Sequence, residues 1–288
     1  MAMSLKRKSL NPYKHDLLEI AMQQPHDFSR DVLFSRMIGL VSEEELNVLA
    51  GKRVAVPGCG GTGYTYAECL VRMGVGGVNI ADADTFGPEN MNRQFGCSTH
   101  TIGRKKSEVL SERLLSINPQ VSVQAIDYLD EYNVSDYLSG VDVVCDTLDF
   151  FVIKPRQLLY KEARRRNIPV VLCCPVAYGV TVHVFLPNGP TFEEFFDISD
   201  KDSELESLQK FGGKLAPSKL YKQYIDSPKL DFEQQKVSSL SATCLMATSF
   251  GSMLAHTLLL GQTSNVKAVP HSYEFDLRAL MFTENKKN

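Results

Sequence analysis

The 288-residue sequence predicts an α/β protein, built on a doubly wound, mostly parallel sheet with added antiparallel strands. Three observations lead there. Between Arg53 and about Pro187, short apolar runs alternate with amphipathic stretches, the βαβα order of a parallel sheet. The runs are β-branched and show little polar alternation, as strands covered on both faces do. The first run ends in Gly58-Cys59-Gly60-Gly61-Thr62-Gly63, where a strand gives way to a helix.

The elements follow in order. Arg53–Val56 is a strand, and Gly61–Met73 a helix with Tyr64, Ala67, Leu70 and Val71 on one face. Val78–Ala81 is a second strand, ending in Asp82-Ala83-Asp84. Arg104–Ile117 is a helix stopped by Asn118-Pro119. Val121–Ile126 and Val141–Cys145 are strands separated by a helix near Val134–Leu138. Lys154–Arg166 is a basic helix leading into the strand Ile168–Cys173. Tyr178–Leu186 alternates in character and follows after a short turn, so it joins antiparallel. Residues 188–236 show no sustained period and read as a long functional or disordered segment. Ser238–Leu260 is a long apolar helix rich in small residues, suited to a buried or subunit-interface position. Ser272–Leu277 is a last strand. One helix is expected near Pro12–Gln24. Residues 1–30 read as an N-terminal extension and 31–288 as a single domain with a crossover segment over 188–236.

Composition is that of an ordinary globular chain, 43% hydrophobic and 23% charged, with a net charge of −3. That charge gives no general attraction to nucleic acid or to an anionic membrane. No uninterrupted apolar stretch of membrane-spanning length is present, and no signal sequence is recognisable. The seven cysteines, an odd number in mostly apolar contexts, point to reduced thiols and a cytoplasmic location. With no C-x-x-C pair, a structural zinc site is not expected.

The glycine turn carries the first chemical signal. Glycine lets backbone N–H groups approach a phosphate, and the helix N-terminus adds partial positive charge. Asp82 stands at the end of the second strand, where an acid accepts hydrogen bonds from ribose hydroxyls. To this point a nicotinamide-dependent oxidoreductase fits equally well. Asn90, Arg93, Gln94, Lys105 and Lys106 then follow closely, more cations than a dinucleotide requires. Arg93 and Lys106 aimed at a triphosphate would stabilise the departing pyrophosphate. The fourth strand ends in Asp146-Thr147-Leu148-Asp149, facing the same crevice. Asp149 is a candidate Mg²⁺ ligand, because a carboxylate beside phosphates needs an intervening cation. Asp146 is a candidate turn cap.

This ordered set resembles the ThiF/MoeB/ubiquitin-activating-enzyme superfamily. The matching residues are Gly58, Gly60, Gly61, Gly63, Asp82, Asp84, Asn90, Arg93, Gln94, Lys106 and Asp149. Ile117-Asn118-Pro119 and the strand at Ile168-Pro169-Val170 add to the match. The resemblance implies a Rossmann-like adenylation domain that binds ATP and Mg²⁺ and joins a substrate carboxylate to the α-phosphate. It places Asp82 and Asp84 on the ribose side, Asn90, Arg93 and Lys106 on the phosphates, and Asp149 on the metal. Phe34-Ser35-Arg36 resembles the family's N-terminal arginine segment, which implies that Arg36 reaches a partner's site in a homodimer.

Departures narrow the reading. The four-cysteine zinc site of many members is missing, and the crossover segment holds no cysteine for a thioester. Cys173-Cys174 reads as a packed pair and Cys244 as core. Lys105 replaces the usual proline, and Phe150 the usual small polar residue after the aspartate. What remains is adenylation followed by direct nucleophilic attack, on a peptide or small carrier protein of the microcin or pantocin type. The oxidoreductase and a tRNA-modifying dehydratase stay open as alternatives, the second with little support from the net charge.

Overall fold

The computed structural model describes residues 27–224, 230–231 and 236–287. The helix expected near Pro12–Gln24 lies outside them, as does part of the crossover segment. Strands β1 (Arg53–Pro57), β2 (Gly77–Ala81), β3 (Ser122–Ile126), β4 (Val143–Asp146) and β5 (Val170–Val176) run parallel. β6 (Gly179–Phe185), β9 (His271–Asp276) and β10 (Met281–Lys286) continue the sheet antiparallel, giving the order β10-β9-β6-β5-β4-β1-β2-β3. A two-residue ladder, β7 (Leu230–Asp231) with β8 (Lys236–Val237), stands apart. The predicted fold class holds. The strand order reverses between β1 and β4, the switch point where α/β sheets open a crevice.

Each parallel strand splits its side chains between two cores. Val54, Val56, Val78, Ile80, Val143, Cys145, Val171 and Cys173 face one side. There they meet α3 (Gly63–Arg72), α4 (Lys106–Ile117) and α9 (Ser241–Leu259). Ala55, Val144, Val170 and Leu172 face the other, against α5 (Val134–Tyr137) and α6 (Ile153–Arg165). This double coverage is why the strands read as unbroken apolar runs. Helix α9 is long and apolar enough to cross a membrane by length and composition, and 56% of its most apolar window is buried inside this fold. It packs along β4, β5, β6 and α3. Gly251 lets it approach α3, since a methyl group there would overlap the Tyr66 hydroxyl.

Four elements depart from the sequence reading. The crossover segment contains α7 (Phe192–Phe196) and α8 (Glu204–Leu215), each opened by a complete capping box, at Thr191/Glu194 and Ser203/Glu206. Phe192, Phe195, Phe196, Leu208, Phe211 and Leu215 are buried there and extend the second core. Five residues are too few for α7 to display a helical period, and Gly212-Gly213 disguises α8 as a loop. Helix α2 (Glu43–Ala50), with its Ser42–Glu45 capping box, and edge strand β10 were not anticipated either. The first helix among the described residues is a single turn, α1 (Arg30–Leu33).

His183 on β6 lies fully buried against the Phe195 and Phe196 rings, and neither ring nitrogen has a hydrogen-bond partner. Burial pulls its pKa down to about 3. The unfolded chain therefore takes up a proton below pH 6.5 that the folded chain refuses until about pH 3, so stability falls as pH drops through that window. Replacing His183 with Phe removes this liability. His183→Phe should gain about 2 kcal/mol relative to wild type between pH 8 and pH 5. Urea midpoints at the two pH values measure the difference, and a constant gap would refute the assignment.

Candidate functional site

The crevice forms where the β1–α3 turn meets the ends of β2 and β4. Gly58 sits at φ +104°, and a methyl group on it would lie 2.5 Å from the Thr147 carbonyl oxygen. At Gly63 a methyl group would collide with the Gly58 carbonyl. Both positions therefore require glycine, one for its backbone angle and the other for close approach. Thr147 closes the turn from the β4 side, its hydroxyl donating to the carbonyls of Pro57 (2.8 Å) and Gly58 (3.1 Å). Gly60 faces the Gln94 side chain, and Gly61 lies against Cys244 and the Arg93 backbone.

Asp82 holds the loop from the side. One carboxylate oxygen accepts the Cys59 N–H at 2.7 Å and the other the Asp84 N–H at 2.9 Å. Burial raises the Asp82 pKa, with the Cys59 N–H and the Lys106 charge opposing the rise. Lys106 opens α4, is itself buried, and donates to Asp84 at 2.9 Å. Asp84, Lys106 and Asp82 thus form one connected charge group beside the glycine turn. Beyond them lies a cleft of about 340 Å³ between β3 and α4, where Lys105 pairs with Asp127 at 3.0 Å.

The segment from Asn90 to Gln94 forms the opposite rim. Asn90 is buried, and its side-chain oxygen accepts the Gly87 N–H at 3.0 Å. In this conformation it shapes the turn that carries Arg93. Arg93 donates to the Glu89 carbonyl (3.2 Å) and to Asn92 (3.0 Å), both exposed contacts that a stronger anion can displace. Gln94 is buried with Oε1 unpartnered, and its amide nitrogen is the atom turned towards Gly60.

Asp149 is exposed beyond β4, and one of its oxygens accepts the Phe151 N–H at 3.1 Å. Asp146 does more than cap the turn. One oxygen accepts the Leu148 N–H at 3.1 Å, and the other receives Arg156 Nε at 2.8 Å and the Tyr160 hydroxyl at 2.9 Å. Arg156 also donates to the carbonyls of Leu148 (2.6 Å) and Asp149 (3.1 Å). The acid–base pair thereby fixes the backbone from which Asp149 projects. The sequence gives no sign of this role for Arg156, which is one of several basic residues on α6.

Arg36 lies on an exposed turn, Ser35–Met37, and contacts none of the other site residues within this chain. Cys173 is buried and Cys174 half-buried at the end of β5, with burial pushing both thiols up to about 12. Burial likewise raises Cys244, against the opposing influence of Ser239 and Arg93. These thiols stay protonated at neutral pH. The structure places Cys244 against the glycine turn and not simply in the core.

The chain belongs to the ThiF family, whose model matches residues 34–287. It is 35% identical over 134 residues to the tRNA threonylcarbamoyladenosine dehydratase of Escherichia coli (strain K12), covering 46% of this chain and 49% of that one. The chain thus spans about half the length of the curated relatives it matches. The E. coli dehydratase solved in complex with ATP superposes with a TM-score of 0.60 at 20% identity, covering 84% of this chain and all of that one. The selenomethionine structure of PaaA gives a TM-score of 0.66 at 17% identity, covering 95% and 80%. At these identities the two structures speak for the fold. Family membership removes the support for the oxidoreductase alternative.

Removing one partner of the buried Asp146–Arg156 pair leaves a charge stranded in the core. Asp146→Asn and Arg156→Met should each cost about 3–5 kcal/mol in urea denaturation. The joint replacement should cost clearly less than the sum, because no lone charge remains. Additive losses would mean the two residues act independently.

Proposed function

We propose that this chain is an ATP-dependent adenylyltransferase that activates a carboxylate on a peptide or small carrier protein. The observation that carries the reading is the tight turn at Gly58 and Gly63, with Lys106 on one rim of the crevice, Arg93 on the opposite rim and Asp149 beyond the end of β4. The substrate carboxylate would attack the α-phosphorus, forming a new P–O bond as the bond to the bridging oxygen breaks and pyrophosphate leaves. A nucleophile then displaces AMP from the acyl group directly, without an enzyme thioester. Gly58, Gly60, Gly61, Gly63 and the α3 N-terminus would cradle the phosphates. Asp82 and Asp84 would face the ribose, and Arg93, Lys106, Asn90 and Gln94 the polyphosphate.

Mg²⁺ fits this site in the way that suits the ion. Among the described residues no group of three or more acidic, histidine or cysteine side chains forms a metal cage. Mg²⁺ is instead commonly held by one or two carboxylates with substrate phosphates, and Asp149 is the exposed carboxylate available for that role. Bound there, the ion would neutralise phosphate charge.

A homodimer accords with the exposed apolar residues beside Arg36, namely Val32, Ile38 and Leu40, which is 93% exposed. A second copy covering them would bring Arg36 towards a neighbouring crevice. The seven unpaired cysteines suit a reducing cytoplasm.

A second reading has a tRNA as substrate. It draws on the 35% identity to the E. coli dehydratase. The net charge of −3 weighs against it, because nucleic-acid affinity rests largely on neutralising phosphates.

Exchange of labelled pyrophosphate into ATP tests both readings. Exchange stimulated by a peptide or carrier protein is expected, falling at least about 100-fold in Arg93→Ala and Asp149→Ala. Exchange stimulated by tRNA alone would favour the second reading. Full exchange in both variants would sink the site assignment.

A further inference from the structure

The turn between β9 and β10 carries Arg278 at the carboxyl edge of the sheet. Its guanidinium carbon lies 5.1 Å from the centre of the Tyr178 ring and 4.9 Å from that of Tyr224. The two rings meet edge to face, 5.1 Å apart. Tyr178 comes from the β5–β6 turn and Tyr224 from the far end of the crossover segment, so three separate chain segments build this clamp.

Asp276 holds the clamp together. One of its oxygens accepts the N–H groups of Arg278 (2.8 Å) and Ala279 (2.9 Å) and the Tyr224 hydroxyl (3.2 Å), and the other receives Gln223 (3.2 Å). Two strand positions earlier, Glu274 accepts the Ser218 N–H at 2.5 Å and anchors the crossover segment to the same edge. Both carboxylates are buried and engaged, and neither forms an ion pair with Arg278.

The guanidinium therefore stands fixed and unused. Of the arginines among the described residues, only Arg36 and Arg278 donate no side-chain hydrogen bond and form no ion pair. Arg36 is also unstacked, whereas Arg278, an exposed residue, rests its guanidinium against both rings of the Tyr178–Tyr224 pair. Stacking of this kind removes the entropy that a long side chain would otherwise lose on binding. A planar fork of free N–H groups matches a two-oxygen anion. The nearby acids Asp276 and Glu274 favour a singly charged carboxylate over a phosphate of higher charge.

We propose that Arg278, clamped by Tyr178 and Tyr224, is a binding post for a second carboxylate of an acidic peptide substrate. From β9 to β1 is four strand spacings, roughly 19 Å at about 4.8 Å each. About six extended residues span that distance at about 3.3 Å per residue. The peptide would thus carry an acidic group some six residues from the carboxylate that enters the glycine crevice. The anion site stands on its own geometry, while its use as a substrate anchor rests on the adenylation reading.

The experiment follows the arginine Nε–H signals of the ¹⁵N-labelled full chain by NMR, with Arg278→Lys identifying the Arg278 signal. Acetate and inorganic phosphate are titrated separately at constant ionic strength, and ATP in a parallel sample. Acetate should shift Arg278 saturably, with a midpoint at least fivefold below that of Arg36. Tyr178→Leu should raise that midpoint at least threefold. Equal midpoints for Arg278 and Arg36 in the wild-type chain would overturn the proposal, as would an unchanged midpoint in folded Tyr178→Leu. Tighter binding of phosphate than acetate would overturn the assignment to a carboxylate. A chain that binds acetate at Arg278 but not ATP would sink the adenylation reading and leave the anion site standing.

Discussion

One buried ion pair, Asp146 with Arg156, sets the geometry on which the crevice depends. Both side chains are almost wholly removed from water, so the pair is an uncertain source of net stability. Its consequence is positional. Asp146 ends β4, and Arg156 belongs to α6. The guanidinium binds the carbonyls of Leu148 and Asp149 and stacks 4.8 Å from the Phe211 ring of α8. A single planar cation thereby fixes the strand end, the loop after it and the crossover helix relative to one another. A lysine could not replace it, because a point charge cannot grip a carboxylate, two carbonyls and an aromatic face together.

The loop thus held carries Phe150, where the family resemblance leads to the expectation of a small polar residue. Phe150 follows Asp149 and packs against Phe151 and Phe211, with ring centres 5.2 and 5.5 Å away. Gly212 makes room for it, since a methyl group there would come within 2.9 Å of the Phe150 ring. Phe150 and Gly212 are therefore one feature. An aromatic side chain from the loop is accommodated by a glycine in the crossover helix, so the crossover leans on the segment bearing Asp149. In this chain, displacement of α8 would be felt at that carboxylate.

The sequence was most legible where a single constraint dictated residue type. Gly58 and Gly63 are forced by backbone angle and close approach, so the turn stood out at once. Strands buried on both faces had to be apolar, and this made β1, β2, β4 and β5 readable, with β3 at the sheet edge far more exposed. Asp82 lay in the expected place because the chain must turn there. The crossover helices were hidden because their order depends on partners far away in sequence: Phe211 needs Arg156, and Ser218 needs Glu274. Strand β10 was hidden for the reason edge strands usually are, an exposed face that need not be apolar. Arg278 was invisible because its significance lies in what it does not bind, which no spacing can express.

Charge accounting around the crevice leads one step further. Its walls present Asp82, Asp84 and Asp149 against Lys106 and Arg93, three acids to two cations. Lys106 is already paired with Asp84, and Arg156 is committed to Asp146, so neither is free to leave its partner cheaply. Arg93 alone in this group is held by weak, exposed contacts to a carbonyl and an amide. A polyphosphate entering such walls meets one adaptable guanidinium, a cradle of backbone N–H groups and an uncompensated carboxylate at Asp149. That balance is unfavourable without a further cation at the rim. On the proposed adenylation reading, a divalent ion would thus answer to the committed pairs as much as to Asp149 itself, and Arg93 would be the protein's own adjustable charge.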